Sequence, residues 1–304
     1  MSEFRTHLRK DVKLLTSDSL FVILIVALGA LSFFSALTTC ASYVQSITGG
    51  MNLVTKASLE LAQKNALVNY WNTVGNFFMV LFLAISAMAM SVEKDSGMSR
   101  YVLTFRVRKV SFYMSKLVLL MALVLVALVI ALAAYLVVFS FMDVPMLDPG
   151  NLAISMLFPL LGMLAFAALG LALSTLATKK GAVIALAVVV FIALSAVSAV
   201  STGLGIAAAQ HIHPTAGPNN YTEFMPLEYK LLIYGNPVII GQGTSYILLG
   251  ASSSGAMQWF DIAGGIALSA GFLFVFIALG LLSFSKERQE QSWASTVRGW
   301  RKHA

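Results

Sequence analysis

The chain has 304 residues, 59% of them hydrophobic and only 11% charged, with a mean hydropathy of +0.85 and a formal net charge of +7. A soluble domain carries about 25% charged residues, so this composition excludes an ordinary water-facing surface. The positive excess would point to nucleic acid in a soluble chain; here its placement along the chain gives it another meaning.

In chain order, the first 18 residues form an amphipathic segment. Phe4, Leu8, Val12 and Leu15 recur at helical spacing, with Arg5, Arg9, Lys10 and Lys13 around the rest of the wheel. This predicts a helix lying in the cytoplasmic membrane interface. An apolar stretch then covers 19–38. Five more follow at 70–92, 117–140, 152–176, 182–202 and 262–284. Each has the roughly 20 residues that cross a hydrocarbon core, and none holds Lys, Arg, Asp or Glu in its interior. Backbone groups in lipid must bond within their own segment, so the six are predicted as helices. Ala and Leu dominate them, without the alternation of barrel strands. The first is too long for a signal-peptide core and is expected to stay.

With six spans, 17 of the 20 Lys and Arg residues fall on one side; only Lys56, Lys64 and Lys230 fall on the other. Positive residues stay in the cytoplasm, which predicts cytoplasmic N and C termini. The net charge thus reports topology, and no nucleic-acid partner is needed. Trp71 and Trp259 are expected as interfacial aromatics at the outer ends of spans two and six.

Between the spans, 39–69 reads as a partly helical outer loop, with Leu53, Leu59, Leu61 and Leu67 interleaved with Lys56, Glu60 and Lys64. The longest connection, 203–261, contains Pro214, Pro218, Pro226 and Pro237 and several glycines. Its apolar pieces are too short to span and suit short helices at, or dipping into, the outer surface. A basic tail, 285–304, carries Trp293, Val297 and Trp300 on one helical face. The whole chain is expected to be a single transmembrane domain: interfacial helix 1–18, bundle 19–284 and tail 285–304.

Candidate chemistry is sparse. Cys40 cannot form an intrachain disulfide, and the bulky Thr39 before it argues against a lipoprotein site. His211 and His213, with Glu223, offer metal-binding side chains, but no His-Glu-x-x-His motif fixes a geometry, so they read as solvated loop residues and no metal is expected. Asn220-Tyr221-Thr222 is a glycosylation tripeptide. Gly170 with Ser174, and Gly265 with Ser269, are small pairs suited to close helix packing. Asn76, Ser86 and Ser91 either line a path along span two or bond neighbouring backbone. The 14 methionines suit pliable apolar contacts or plain packing in lipid.

The segment between spans two and three is the most informative. It runs Glu93-Lys94-Asp95-Ser96-Gly97, through Arg100, to the basic group Arg106-Val107-Arg108-Lys109 and then Lys116 at the start of span three. Acids end one span, glycine offers a turn, and bases lead into the next. This pattern resembles the membrane subunit of type-2 ABC transporters, the exporter-like permeases. There, Glu-x-x-x-Gly-Thr-Leu is followed by a Pro-Val-Ser-Arg-like segment and a lysine at the next span. Met98 and Ser99 stand where that family has Thr and Leu, and the basic segment lacks its proline. The layout of interfacial helix, six spans and long fifth–sixth loop is shared.

The resemblance implies a permease in a prokaryotic plasma membrane, exporting an unidentified substrate. It would pair with a second copy or a similar chain, and dock on two cytoplasmic ATPase subunits that hold ATP and Mg. Its ATPase-coupling residues would be Glu93, Asp95, Gly97, Arg100, Arg106, Arg108, Lys109 and Lys116. Two features read from the residues alone agree. No Gly-x-x-x-x-Gly-Lys-Ser/Thr loop exists to cradle phosphate, so the chain itself is expected to bind no cofactor and to catalyse nothing. No span interior holds the charge that gradient-driven transporters commonly use. The alternatives are an ATP-independent transporter or channel, or a scaffold subunit.

Overall fold

The computed structural model describes residues 2–17, 19–49, 56–95, 109–176, 179–214, 224–249 and 262–301. Among them there is helix and turn but no strand. The helices are α1 (Ser2–Ser17), α2 (Ser19–Gly49), α3 (Lys56–Asp95), α4 (Lys109–Phe141), α5 (Pro149–Ser155), α6 (Leu157–Ser174), α7 (Lys180–Ile212), α8 (Leu227–Tyr234), α9 (Gly243–Leu249) and α10 (Ile262–Arg301), with a 3-10 turn at Pro237–Gln242 before α9. Six segments are long and apolar enough to cross a membrane: α2, α3, α4, α5 with α6, α7 and α10. The all-helical, six-span expectation holds.

Several helices run further than hydropathy alone marked. The 39–69 segment is almost wholly helical, because α2 continues to Gly49 and α3 starts at Lys56. No Pro or Gly interrupts α2 between Thr38 and Ile47, and the pair Gly49-Gly50 follows. At about 1.5 Å per residue, the 31 residues of α2 and 40 of α3 give rods of roughly 46 and 60 Å, well beyond the apolar thickness. Likewise α7 continues through Gly203 and Gly205 to Ile212 and stops before Pro214, where the residue preceding proline is pushed out of helical geometry. The connection to span six is correspondingly shorter than the expected 203–261. The backbone of the tail is helical to Arg301; the face carrying Trp293, Val297 and Trp300 lies outside the described side chains, as do Trp259, Asn220 and Glu223.

α3 and α6 form the centre, flanked by α2, α4, α7 and α10. Nearly every residue of α6 from Gly162 to Ser174 is buried or almost so. Gly170 and Ser174 do serve packing inside the chain. A methyl group at Gly170 would collide with Ser86 Oγ and the Leu83 carbonyl of α3, so glycine is what allows this approach. Ser86 and Ser91 are buried and donate to carbonyls of their own helix, Ser86 to Phe82 and Ser91 to Ala87. Ser269 does the same to Gly265 at 2.7 Å. By contrast α7 and α10 leave much apolar surface uncovered, as expected where lipid is the solvent.

The fourth span is broken rather than continuous. α5 ends at Ser155 and α6 begins at Leu157. Pro159 cannot give an N–H to the Ser155 carbonyl four residues back. The Thr244 hydroxyl of α9 donates to that carbonyl instead, at 3.2 Å. Trp71 is buried here, which corrects the expectation of an interfacial tryptophan. Its indole N–H donates to Ser155 Oγ at 2.8 Å, so the ring can leave the interface without losing its hydrogen bond. Asn236, between α8 and the 3-10 turn, donates from Nδ2 to the Leu194 carbonyl halfway along α7 and accepts from the Val238 N–H at 3.0 Å. Gly243 lies against the Phe158 ring, 2.6 Å from where a Cβ would sit. The segment from α8 to α9 is thus pinned into one end of the bundle by polar contacts, one of which compensates a helix break. Thr244→Val leaves the Ser155 carbonyl buried without a donor and is expected to lower stability by about 1–3 kcal/mol, read as a fall in melting temperature in nanodiscs; Thr244→Ser should restore most of it.

Candidate functional site

At the opposite end of the bundle, α1 lies across the start of α4 and the first turns of α2. Its inward face is Phe4, His7, Leu8 and Asp11, spaced i, i+3, i+4 and i+7. Val12, expected on the apolar stripe, is 41% exposed and turns away from the bundle. His7 meets the Phe112 ring edge-on, with centroids 5.7 Å apart. Phe112 in turn stacks on Phe284 of α10.

Asp11 is the most deeply buried residue on that face, at 3% exposure; Glu93 and Lys116 are each 7% exposed. The three meet. Lys116 Nζ lies 2.8 Å from Asp11 Oδ1 and 2.7 Å from Glu93 Oε1. The Ser115 hydroxyl is shared between Asp11 Oδ2 (3.2 Å) and the Phe112 carbonyl (2.8 Å). Lys10 approaches Glu93 Oε1 at 3.4 Å from the edge. Two carboxylates and two ammonium groups balance. Such a cluster is tolerable in a low-dielectric interior only when each charge has close partners of opposite sign. The Lys116 ammonium also sits 5.6 Å from the Phe112 ring centroid, within cation–π range.

Two further lysines at the ends of the 96–108 segment point into the protein. Lys94 Nζ donates to the Thr175 carbonyl at 2.8 Å, just beyond the C-terminus of α6, where unpaired carbonyls favour a cation. Lys109 Nζ donates to the Ser285 carbonyl of α10 at 2.9 Å and lies 5.8 Å from the Phe284 ring centroid. The two ends of the segment are therefore tied to α1, α6 and α10. The 96–108 stretch itself, with Gly97, Arg100, Arg106 and Arg108, lies outside the described residues, as does the Asp95 side chain.

A family model for ABC-2 family transporter proteins matches residues 1–288. The chain belongs to the ABC-2 transporter family. No curated protein matches it significantly. Membership carries the statement that this is a multi-pass transporter-family membrane protein, of the kind that forms a membrane subunit.

Within this ABC-2 protein the structure brings together Glu93 and Lys116 and adds Asp11, Lys10, Ser115 and Thr175, which sequence reasoning missed. The signal for Asp11 was faint: the one acid in a stretch carrying four bases between Arg5 and Lys13, three residues after Leu8 and seven after Phe4. Lys109 is partly buried and engaged with α10. Among the described residues no group of three His, Cys, Asp or Glu is arranged to hold a metal. His213 caps α7 and packs on Phe224, with centroids 4.1 Å apart.

Proposed function

We propose that this chain is the membrane-spanning subunit of an ATP-driven exporter, and that segment 96–108 seats on separate cytoplasmic ATPase subunits that carry the ATP and Mg. It acts with a second permease chain, the same or similar, in a prokaryotic plasma membrane with both termini cytoplasmic. The observation that supports this best is the charge cluster. A loop with loose ends absorbs a push; one whose ends are fixed by Lys94, Lys109, Glu93 and Lys116 hands the push to α1, α6 and α10. Gly97 and the bases Arg100, Arg106 and Arg108, with Asp95, are the contacts offered to the ATPase. Glu93, Lys109 and Lys116 serve the same coupling as positioning residues, by holding the segment's base. Among the described residues the buried charges are Asp11, Glu93 and Lys116, all at this end, so nothing in the span interiors offers the titratable site that a gradient-driven carrier needs.

The test is co-expression with the candidate ATPase and measurement of ATP turnover in proteoliposomes. Joint replacement of Arg100, Arg106 and Arg108 by Ala should weaken the permease's effect on turnover about tenfold, within the usual range of coupling between sites, while the melting temperature stays put. Unaltered coupling in that variant, or gradient-driven transport by the chain alone, would sink the proposal.

A further inference from the structure

The far halves of α2 and α3 run side by side beyond the apolar zone and leave a half-open groove of about 400 Å³ between them, a size typical of small-ligand sites. From α2 it is lined by Thr38, Ser42 and Ser46, and from α3 by Ser58, Asn65 and Asn69. None of the described residues lining it is charged. We propose that this groove holds the headgroup of a membrane amphiphile that is uncharged and rich in hydroxyl groups.

The hydrogen-bonding capacity of the walls sets the headgroup chemistry. Thr38, Ser42 and Ser46 donate their protons to carbonyls of their own helix, at 3.0, 2.9 and 2.7 Å, and Thr73 does so on α3 at 2.9 Å. Each oxygen is then left to the groove as an acceptor. A phosphate or carboxylate would face these acceptors with no cation among the described lining residues to meet it. An ammonium would find no carboxylate. A polyol supplies the donors the walls call for, and the exposed Asn65 and Asn69 amides can both give and accept. Tyr43 also lines the groove. It is buried, and its hydroxyl makes no hydrogen bond of good geometry. Gln63 lies beside it, but the Gln63 amide nitrogen donates to the Pro145 carbonyl at 2.8 Å. That hydroxyl lies inside the protein, so Tyr43 offers the groove its ring and not its oxygen.

The tail follows from helix periodicity. Phe34 lies four residues before Thr38, and Phe77 four after Thr73, so each aromatic sits on the same helix face as a groove-lining threonine, one turn toward the apolar zone. Both are exposed, Phe34 at 65% and Phe77 at 54%. The polar groove thus continues into an apolar, aromatic surface in the direction an acyl chain would take. This site is independent of ATP coupling.

The test uses the full chain in phosphatidylcholine nanodiscs doped with monoglucosyl-diacylglycerol, diacylglycerol or phosphatidylglycerol, with retained lipid read by native mass spectrometry. The glucolipid should be retained about tenfold over both others, the worth of one or two hydrogen bonds. Asn65→Leu with Asn69→Leu should abolish that preference, and so should the milder Thr38→Val together with Ser42→Ala, should the first pair disturb folding. Phe34→Ala with Phe77→Ala should lower retention of the glucolipid. Equal retention of phosphatidylglycerol, retention unaffected by the groove variants, competition by methyl glucoside at equal concentration, or loss of binding whenever a second copy of the chain covers the groove would each overturn the proposal. Glucolipid-stimulated ATP turnover in the assembled transporter identifies the occupant as cargo, and unchanged turnover as a resident lipid; both support the site.

Discussion

Lys116→Met is expected to destabilise the protein by about 3–5 kcal/mol, the usual cost of removing one partner from a buried ion pair. Methionine keeps the length and packing of the stem, so the loss isolates the charge. Asp11 and Glu93, both within 2.8 Å of the ammonium, would be left facing each other in a site with little water. Unfolding in mixed detergent micelles gives the stability, and protease sensitivity near Ser17 reports whether α1 has come away. Adding Asp11→Asn and Glu93→Gln should recover a large share of the loss, because no buried charge is then left unpaired and Lys10, at the edge, is reached by water. A Lys116→Met protein as stable as its parent would show that water reaches the cluster and that its pairing does not hold α1 in place.

Gly170→Val is the second change with a large expected effect. Its Cβ would run into Ser86 Oγ and the Leu83 carbonyl. The first obstacle is a side chain; the second is backbone of α3 and cannot rotate aside. α3 and α6 must then separate along the most extensive helix contact among the described residues, for which overpacking costs of about 1–3 kcal/mol set a lower bound. Even Gly170→Ala should fall within that range. Ser86→Ala in the alanine background should return only part of it, since the Leu83 carbonyl stays. Melting temperature and the fraction of monodisperse protein after solubilisation are the measurements. A wild-type melting temperature for Gly170→Val would contradict the close approach.

How far the sequence reaches is visible in particular residues. The six spans follow from apolar length, since a bilayer of fixed thickness imposes that length. The same criterion is blind to a helix that continues into water. Lys56, Glu60 and Lys64 break the apolar run without breaking α3, and Glu60 pairs with Lys64 at 2.8 Å one turn on. Trp71 was misplaced because interfacial preference is an average; Ser155, 84 residues away, supplies the partner that lets this one go under. Glu93 and Lys116 stood out by position in the chain, whereas Asp11, which shares the Lys116 ammonium with Glu93, is 105 residues from Lys116, a pairing no local pattern encodes. Pro159 was visible as an interruption. Its compensation by Thr244 was not, because it depends on how α9 returns to the bundle.

That compensation couples motion to hydration. If α9 withdraws, the Ser155 carbonyl gives up the Thr244 hydroxyl while Pro159 still offers it no N–H. In hydrocarbon such a group is penalised by several kcal/mol, so α9 can leave cheaply only as solvent arrives. Any passage opened at this end of the protein is therefore wet from the moment it forms.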